Sequence, residues 1–352
     1  MQDEYISAYE YEKNVNPSLA NVPFFVKDVN DGEYYGNVDM IDFSKIFNVS
    51  HKSTTPNLLA SFIKVDDEIE LQNSDCLEFN ATSHMFYIIK GSCSIQIDDD
   101  SRNDVKTGDI LITPSFQTSV RITKNGEEEE ATQIYYINDS PLVNYLGTKA
   151  VRQIFKTAIY RKEFLVRKLD ELSNPTNNRK GILLSNQDTN ALGINTISPV
   201  LWALYNELPP HTIQKPHKHN SVALDLCIKC EDSENIYTLI GDELDENGDI
   251  VNPKKVHWKE GCMFITPPGL WHSHNNDGNV CEHSSYTRCW IAVVPTNSGN
   301  SIDKIGCCLN ELTNHQYNLL LFHSSKYGYW FVLLFGDFQK HILQTLTQNN
   351  NG

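Results

Sequence analysis

Basic residues are scarce in this chain of 352 residues: 29 Lys and Arg stand against 45 Asp and Glu, for a formal net charge of −16. No basic patch interrupts that acidic excess. Nucleic acid and anionic membrane surfaces both require clustered Lys and Arg, so neither is an expected partner. The start, Met1-Gln2-Asp3-Glu4-Tyr5, lacks the basic residues and apolar core of a signal peptide, and a cytoplasmic protein is expected. The apolar run from Tyr327 to Phe335 is too short to span a bilayer. Cysteine is present nine times but without a regular framework, which makes reduced thiols the expectation. Cys227 and Cys230 form a C-x-x-C with no second pair at zinc-ribbon spacing and no helix start. They read as two strand residues rather than a redox or zinc site. The acidic runs Asp98–Asp100 and Glu127–Glu130 lie between apolar segments and read as solvated loop tips rather than a Ca2+ site.

Histidine, by contrast, is concentrated between Pro209 and Asn276. Pro216-His217-Lys218-His219 stands at one end of this stretch and Pro267-Pro268-Gly269-Leu270-Trp271-His272-Ser273-His274 at the other. Residues two apart on a strand project from one face, which puts the His217 and His219 imidazoles side by side. A Pro-Pro-Gly turn followed by His can return a third nitrogen to that pair from a distant strand. Three neutral imidazoles at His217, His219 and His272 suit Fe, Zn, Cu, Ni or Mn and leave positions open for substrate and O2 or water.

These two segments match the two-part cupin signature, in which His-x-His and Pro-x-Gly-x-x-His meet inside a small antiparallel barrel. Many cupins add a Glu four residues after the second His; here that place holds Ala223. With Trp-His-x-His in the second segment, the chain resembles the gentisate 1,2-dioxygenase group of bicupins, although Ser273 stands where those enzymes usually carry Asp. The resemblance implies a mainly β fold of two antiparallel cupin (jelly-roll) barrels joined by a partly helical linker. It also implies a non-haem Fe(II) dioxygenase cleaving a hydroxylated aromatic acid with O2. His274 and Trp271, on either side of His272, are the candidate catalytic residues, with His274 in an orienting or substrate-contacting role rather than as a fourth ligand. Mn, Zn or Ni are alternative metals. The expected partner is a small-molecule aromatic or other organic acid, with association of like subunits through barrel faces. The competing reading keeps the metal but makes the protein an isomerase or lyase, a small-molecule sensor or a non-catalytic structural cupin. No Arg is convincingly placed in the second barrel before Arg288, which weighs against gentisate itself as substrate.

An internal repeat supports two barrels: Lys106–Pro114 aligns without gaps on Lys259–Pro267, with Lys, Gly, Ile, Thr and Pro shared. The same register sets Ser119 opposite His272. Counting back from Gly91 sets Glu78 and Asn80 in the His-x-His places and His84 in the place of Ala223. The first barrel is therefore expected to lack ligands, with His84 a hydrogen-bonded core residue. The expected organisation is an irregular arm over residues 1–45 lying on the first barrel, the first barrel over 46–140 and a linker over 141–195. A metal-binding second barrel over 196–295 and an atypical tail over 296–352 complete it. Apolar residues at Leu142, Val143 and Leu146, then at Val151, Ile154, Phe155 and Ala158, predict helix on both sides of a break at Gly147. Along Ser221–Lys229 the even positions Val222, Leu224, Leu226 and Ile228 are apolar and should pack on the other barrel or another subunit.

Beyond about Asn279 the likeness stops. Related bicupins continue with Gln-Asp-Ala-Gly-Leu, and permitted codons for Thr287–Ala292, read one nucleotide later, spell Pro-Asp-Ala-Gly-Leu-Gln. The expectation is a shift of reading frame between His274 and Thr287, an imperfectly closed second barrel and a poorly ordered tail. The alternative is that Trp290–Val294 is the genuine closing strand.

Overall fold

Strand Ser83–Lys90 carries almost no polar alternation because it is covered on both faces. Phe86 and Ile88 face the interior of the first half of the chain, while Met85 and Tyr87 face the second half. The computed structural model describes residues 10, 19–72, 79–98, 102–116, 119–126, 130–172, 180–278, 289–295, 318–324 and 329–335. They form a mainly β, antiparallel fold of two similar halves.

In the first half a six-stranded sheet runs Ala158–Tyr160, Ile110–Pro114, Ser83–Lys90, Thr132–Asn138, Leu59–Val65, Val38–Ile41. It faces a four-stranded sheet of Glu68–Gln72, Ser119–Lys124, Ser92–Ile97 and Asn103–Lys106. The second half repeats this with Val26–Asp28, Cys262–Thr266, Ala223–Cys227, Cys289–Pro295, Leu201–Glu207 and Lys180–Leu183 in one sheet. Its other sheet holds Thr212–Ile213, Trp271–Asn276, Ile236–Gly241 and Lys254–His257. In neither half do the described ladders run from one sheet into the other, so each is a pair of facing sheets rather than a hydrogen-bonded barrel.

The sequence repeat is a repeat of backbone geometry. Gly108 and Gly261 both take left-handed φ, 90° and 78°, where a side chain is strained. Their N–H groups donate to Ile88 O and Cys227 O at 2.8 and 2.9 Å. Thr113 pairs with His84 as Thr266 pairs with Ala223, so His84 and Ala223 are equivalent positions. The first-His place differs from the expectation. His217 bridges His272, and the equivalent rung in the first half joins Gln72 to Ser119. Glu78 lies outside the described residues, and Asn80 is tied to the linker through Asn144, Thr148 O and Ala150 N.

The outer faces of the two six-stranded sheets pack on each other. Val222, Leu224 and Leu226 meet a cluster that includes Ala60, Phe62, Met85 and Tyr135, so the apolar face of that strand is covered by the other half of the same chain. The N-terminal arm does not lie on the first half alone. Val26–Asp28 adds a strand to the second sheet beside Cys262–Phe264, and Val38–Ile41 adds one to the first beside Ala60–Ile63. The linker is also less helical than its apolar spacing predicts. Helix Ser140–Tyr145 stops before Gly147, at φ 63°, and Ala158–Tyr160 is an edge strand on Ile110–Ile112. The available sheet edge overrides the local periodicity there. Helix resumes at Lys162–Asp170.

After the last candidate His, strand Cys289–Pro295 takes a central place, paired on one side with Leu201–Glu207 and on the other with Leu224–Cys227. This is the place that the alternative reading gave to Trp290–Val294 as a closing strand, and the backbone of the segment takes it whatever the history of its reading frame. Asn318–Ser324 and Tyr329–Phe335 pair as a separate two-stranded ribbon. The rest of the tail, and the turn cluster Ser173–Asn178, lie outside the described residues. Among the described residues no helix is long and apolar enough to cross a membrane.

Candidate metal centre

Three local devices gather the histidines. His217 and His272 exchange both backbone hydrogen bonds, at 3.0 and 2.9 Å, which locks the two distant segments in register. Pro216 has no N–H to give to a ladder, and between Gln214, which donates to His274 O, and His217, which donates to His272 O, the pairing skips residues. Gly269 turns the chain with φ 80° and donates to His219 O at 2.8 Å, clamping the Pro-Pro-Gly turn onto the second ligand segment. The His217–His219 stretch is thus a single bridge and a loop rather than the strand expected, yet its rings still converge.

Ring centres of His217 and His272 lie 4.2 Å apart, those of His219 and His272 4.8 Å, and those of His217 and His219 6.4 Å. His274 stands next to them, 5.8 Å from His272 and 6.4 Å from His217. The hydrogen bonds of the three candidate ligands share one pattern. Nδ1 of His217 meets Lys215 O at 3.1 Å, that of His219 meets Ser221 O at 2.6 Å, with the Ser221 hydroxyl farther off at 3.3 Å, and that of His272 meets Leu270 O at 3.2 Å. A carbonyl oxygen can only accept, so each Nδ1 carries the proton and each Nε2 keeps its lone pair, as metal-bound imidazoles require. His272 is buried, and burial first, then the neighbouring His217, His219 and His274, hold it well below its ordinary pKa; it is neutral.

The donor set and its tautomers fit a divalent transition metal. The spacing is not that of a closed shell: among the described residues no group of three or more His, Cys, Asp or Glu is disposed to hold an ion as it stands. Imidazoles 90–110° apart with nitrogen about 2.1 Å from an ion have ring centres about 4.6–5.3 Å apart. The His219–His272 pair lies within that range, the His217–His272 pair is closer and the His217–His219 pair is wider; His217 and His219 are both half-buried.

The walls are apolar below and polar on one side. Ile236, Ile240, Val256, Trp258 and Phe264 form the buried floor. Asp225, 2% exposed, accepts from Thr266 Oγ1 at 2.9 Å on the sheet face shared with Ala223. Trp271 is not brought to the rings. It alternates with His272 along its strand, and its indole lies under the exposed Lys218 ammonium at 4.7 Å on the opposite face. Asp225 and Thr266, and the pair Thr238 and Trp258 behind His274, were not singled out by the motifs. Strand parity marked Asp225 as inward, but nothing local marked the others.

The equivalent space in the first half is filled. His84 is wholly buried between Phe116, 4.2 Å away ring to ring, and Tyr136, whose hydroxyl meets its Nδ1 at 2.7 Å. Burial pushes its pKa down to about 3. No disulfide joins Cys93, Cys227, Cys230 and Cys262.

No protein-family model matches the chain, and no curated protein matches it in sequence. Solved structures do match it in fold. Salicylate 1,2-dioxygenase from Pseudaminobacter salicylatoxidans superposes with a TM-score of 0.54 at 10% identity, over 84% of this chain and 92% of that one. The structure of the same enzyme as adducts with gentisate gives 0.57 at 10% identity, over 84% and 88%, and a variant in complex with gentisate gives 0.58 at 10% identity, over the same shares. In fold as in its histidine motifs, the chain resembles the gentisate-dioxygenase-like bicupins.

Proposed function

We propose that this protein is a metal-dependent bicupin that binds one ion through His217, His219 and His272 and uses it, as Fe(II), to cleave a hydroxylated aromatic acid with O2. One observation carries the reading: all three Nδ1 atoms are spent on backbone carbonyls, which presents three Nε2 lone pairs from converging rings. Fe(II) held there would supply a common centre at which O2 and an oxygen-bearing substrate exchange electron density. The chain's own part is to hold, orient and keep dry. His272 is fixed by its bridge to His217; Trp258, Phe264 and Ile240 close the floor to water; Ala223 leaves open the place at which many cupins add a carboxylate.

A second reading has an observation of its own. Among the described residues no Lys or Arg is buried, whereas Asp225 is, so none of them offers a substrate carboxylate a buried cation. This favours a less acidic substrate and isomerase, lyase or sensor chemistry on the same site.

Elemental analysis and oxygen uptake separate these. The expected result is about one transition metal per chain, lost in His217→Ala with His272→Ala, and O2 consumption by the iron-loaded protein with at least one of gentisate, salicylate and hydroxynaphthoate. Two equivalents, or occupancy unchanged in the double variant, would overturn the site. Full occupancy without uptake across the panel would overturn the dioxygenase reading in favour of the second.

A further inference from the structure

His274 differs from its three neighbours in what its Nδ1 meets. The partner is not a carbonyl but the Thr238 hydroxyl, at 2.8 Å, and that oxygen also accepts from Trp258 Nε1 at 2.8 Å. All three residues are buried, with Thr238 wholly so. The indole N–H can only donate, so it occupies an acceptor position on Thr238 Oγ1. The hydroxyl hydrogen then needs an acceptor, and the only one these contacts offer is His274 Nδ1. Were Nδ1 protonated, Thr238 would accept twice and its own hydrogen would be buried without a partner, which disfavours that arrangement by about tenfold or more.

We infer that Thr238, steadied by Trp258, holds His274 as the tautomer protonated on Nε2, so that His274 is a hydrogen-bond donor beside the metal position and not a fourth ligand. The inference rests on the proposed metal site for its meaning, but the tautomer itself exists in the metal-free protein. The same strand thus carries two histidines of opposite kind. His272 keeps a lone pair on Nε2 because its protonated Nδ1 donates a hydrogen bond to Leu270 O. His274 carries its proton on Nε2 because its Nδ1 accepts a hydrogen bond from the Thr238 hydroxyl. Thr238 and Trp258 are positioning residues: they act through His274 on any oxygen of a ligand held at the metal.

Two-bond 1H–15N correlation spectra of the metal-free, histidine-labelled protein at alkaline pH read this directly. His272→Gln and His274→Gln assign the two rings by loss of their signals. The expected result is a pyridine-like Nδ1 and pyrrole-like Nε2 for His274, with the reverse for His272. In Thr238→Val the His274 Nδ1 resonance should move as its donor is removed, and in Thr238→Ser it should return. A protonated Nδ1 on His274 in the unmodified protein, or a Nδ1 resonance unmoved by Thr238→Val, would overturn the inference while leaving the metal count untouched. A wrong metal assignment would leave these spectra as expected and fail only the elemental analysis.

Discussion

Replacing His84 by Gln tests whether the first half holds a core histidine or a second metal site. His84 has a folded pKa of about 3 against an ordinary 6.5, because burial disfavours its charged form. The unfolded chain therefore binds a proton between these values that the native protein refuses, and stability rises with pH in that window. His84's contribution is complete above about pH 6.5 and is lost progressively as the pH falls toward 3, amounting to a loss of about 2 kcal/mol between pH 7.5 and 5. Asp139 works the other way. Burial lifts its carboxyl from 3.8 to about 6, so acidification over the same range returns about 1 kcal/mol. The two shifts oppose each other in the unmodified protein, so its own pH curve reports neither of them alone. His84→Gln removes one and leaves the other. Urea unfolding at pH 7.5 and 5 should show the variant's stability holding up better on acidification than the parent's, by about 2 kcal/mol. His272 and Asp139 are common to both proteins and drop out of the comparison. Parallel curves, or a metal content that falls in His84→Gln, would refute the assignment of His84 as a neutral core residue.

Gly261→Ala should destabilise the protein by about 1–2 kcal/mol from its left-handed backbone alone. The new Cβ would also meet Val29 Cγ1 at 2.8 Å, where the N-terminal arm crosses onto the second sheet. Urea unfolding within about 0.5 kcal/mol of the parent would contradict this. Lys218→Met removes a cation lying over the outward-facing Trp271 ring and should cost less than about 1 kcal/mol. Elemental analysis should show its metal content unchanged, whereas loss of the metal would place Lys218 and Trp271 at the site after all.

The ligand candidates were legible in the sequence because their signal is local: His-x-His, Pro-Pro-Gly-Leu-Trp-His and the Lys106–Pro114 repeat each need only a few residues and a turn. Strand parity along Ser221–Lys229 likewise separated the apolar face from the small and polar one, since side chains alternate by backbone geometry alone. What that face would meet was open, and only the burial of Leu224 and Leu226 in one cluster with Phe62 and Met85 decided for the same chain over a second copy. Periodicity misled where a sheet edge outbid it, as at Ala158–Tyr160, and counting back from Gly91 did not reach the rung equivalent to His217–His272, which joins Gln72 to Ser119. Trp271 carries the most cupin-like context of any aromatic residue in the chain, and its register turned it outward. The chemical identity of each histidine lay beyond the sequence altogether. A proton sits on Nδ1 or Nε2 according to whether the neighbouring atom is a carbonyl oxygen or a hydroxyl, and those neighbours come from other turns and other strands. Identical imidazoles two residues apart, His272 and His274, thus become a lone-pair donor and a proton donor only when the tertiary structure sets Leu270 O beside one and Thr238 beside the other.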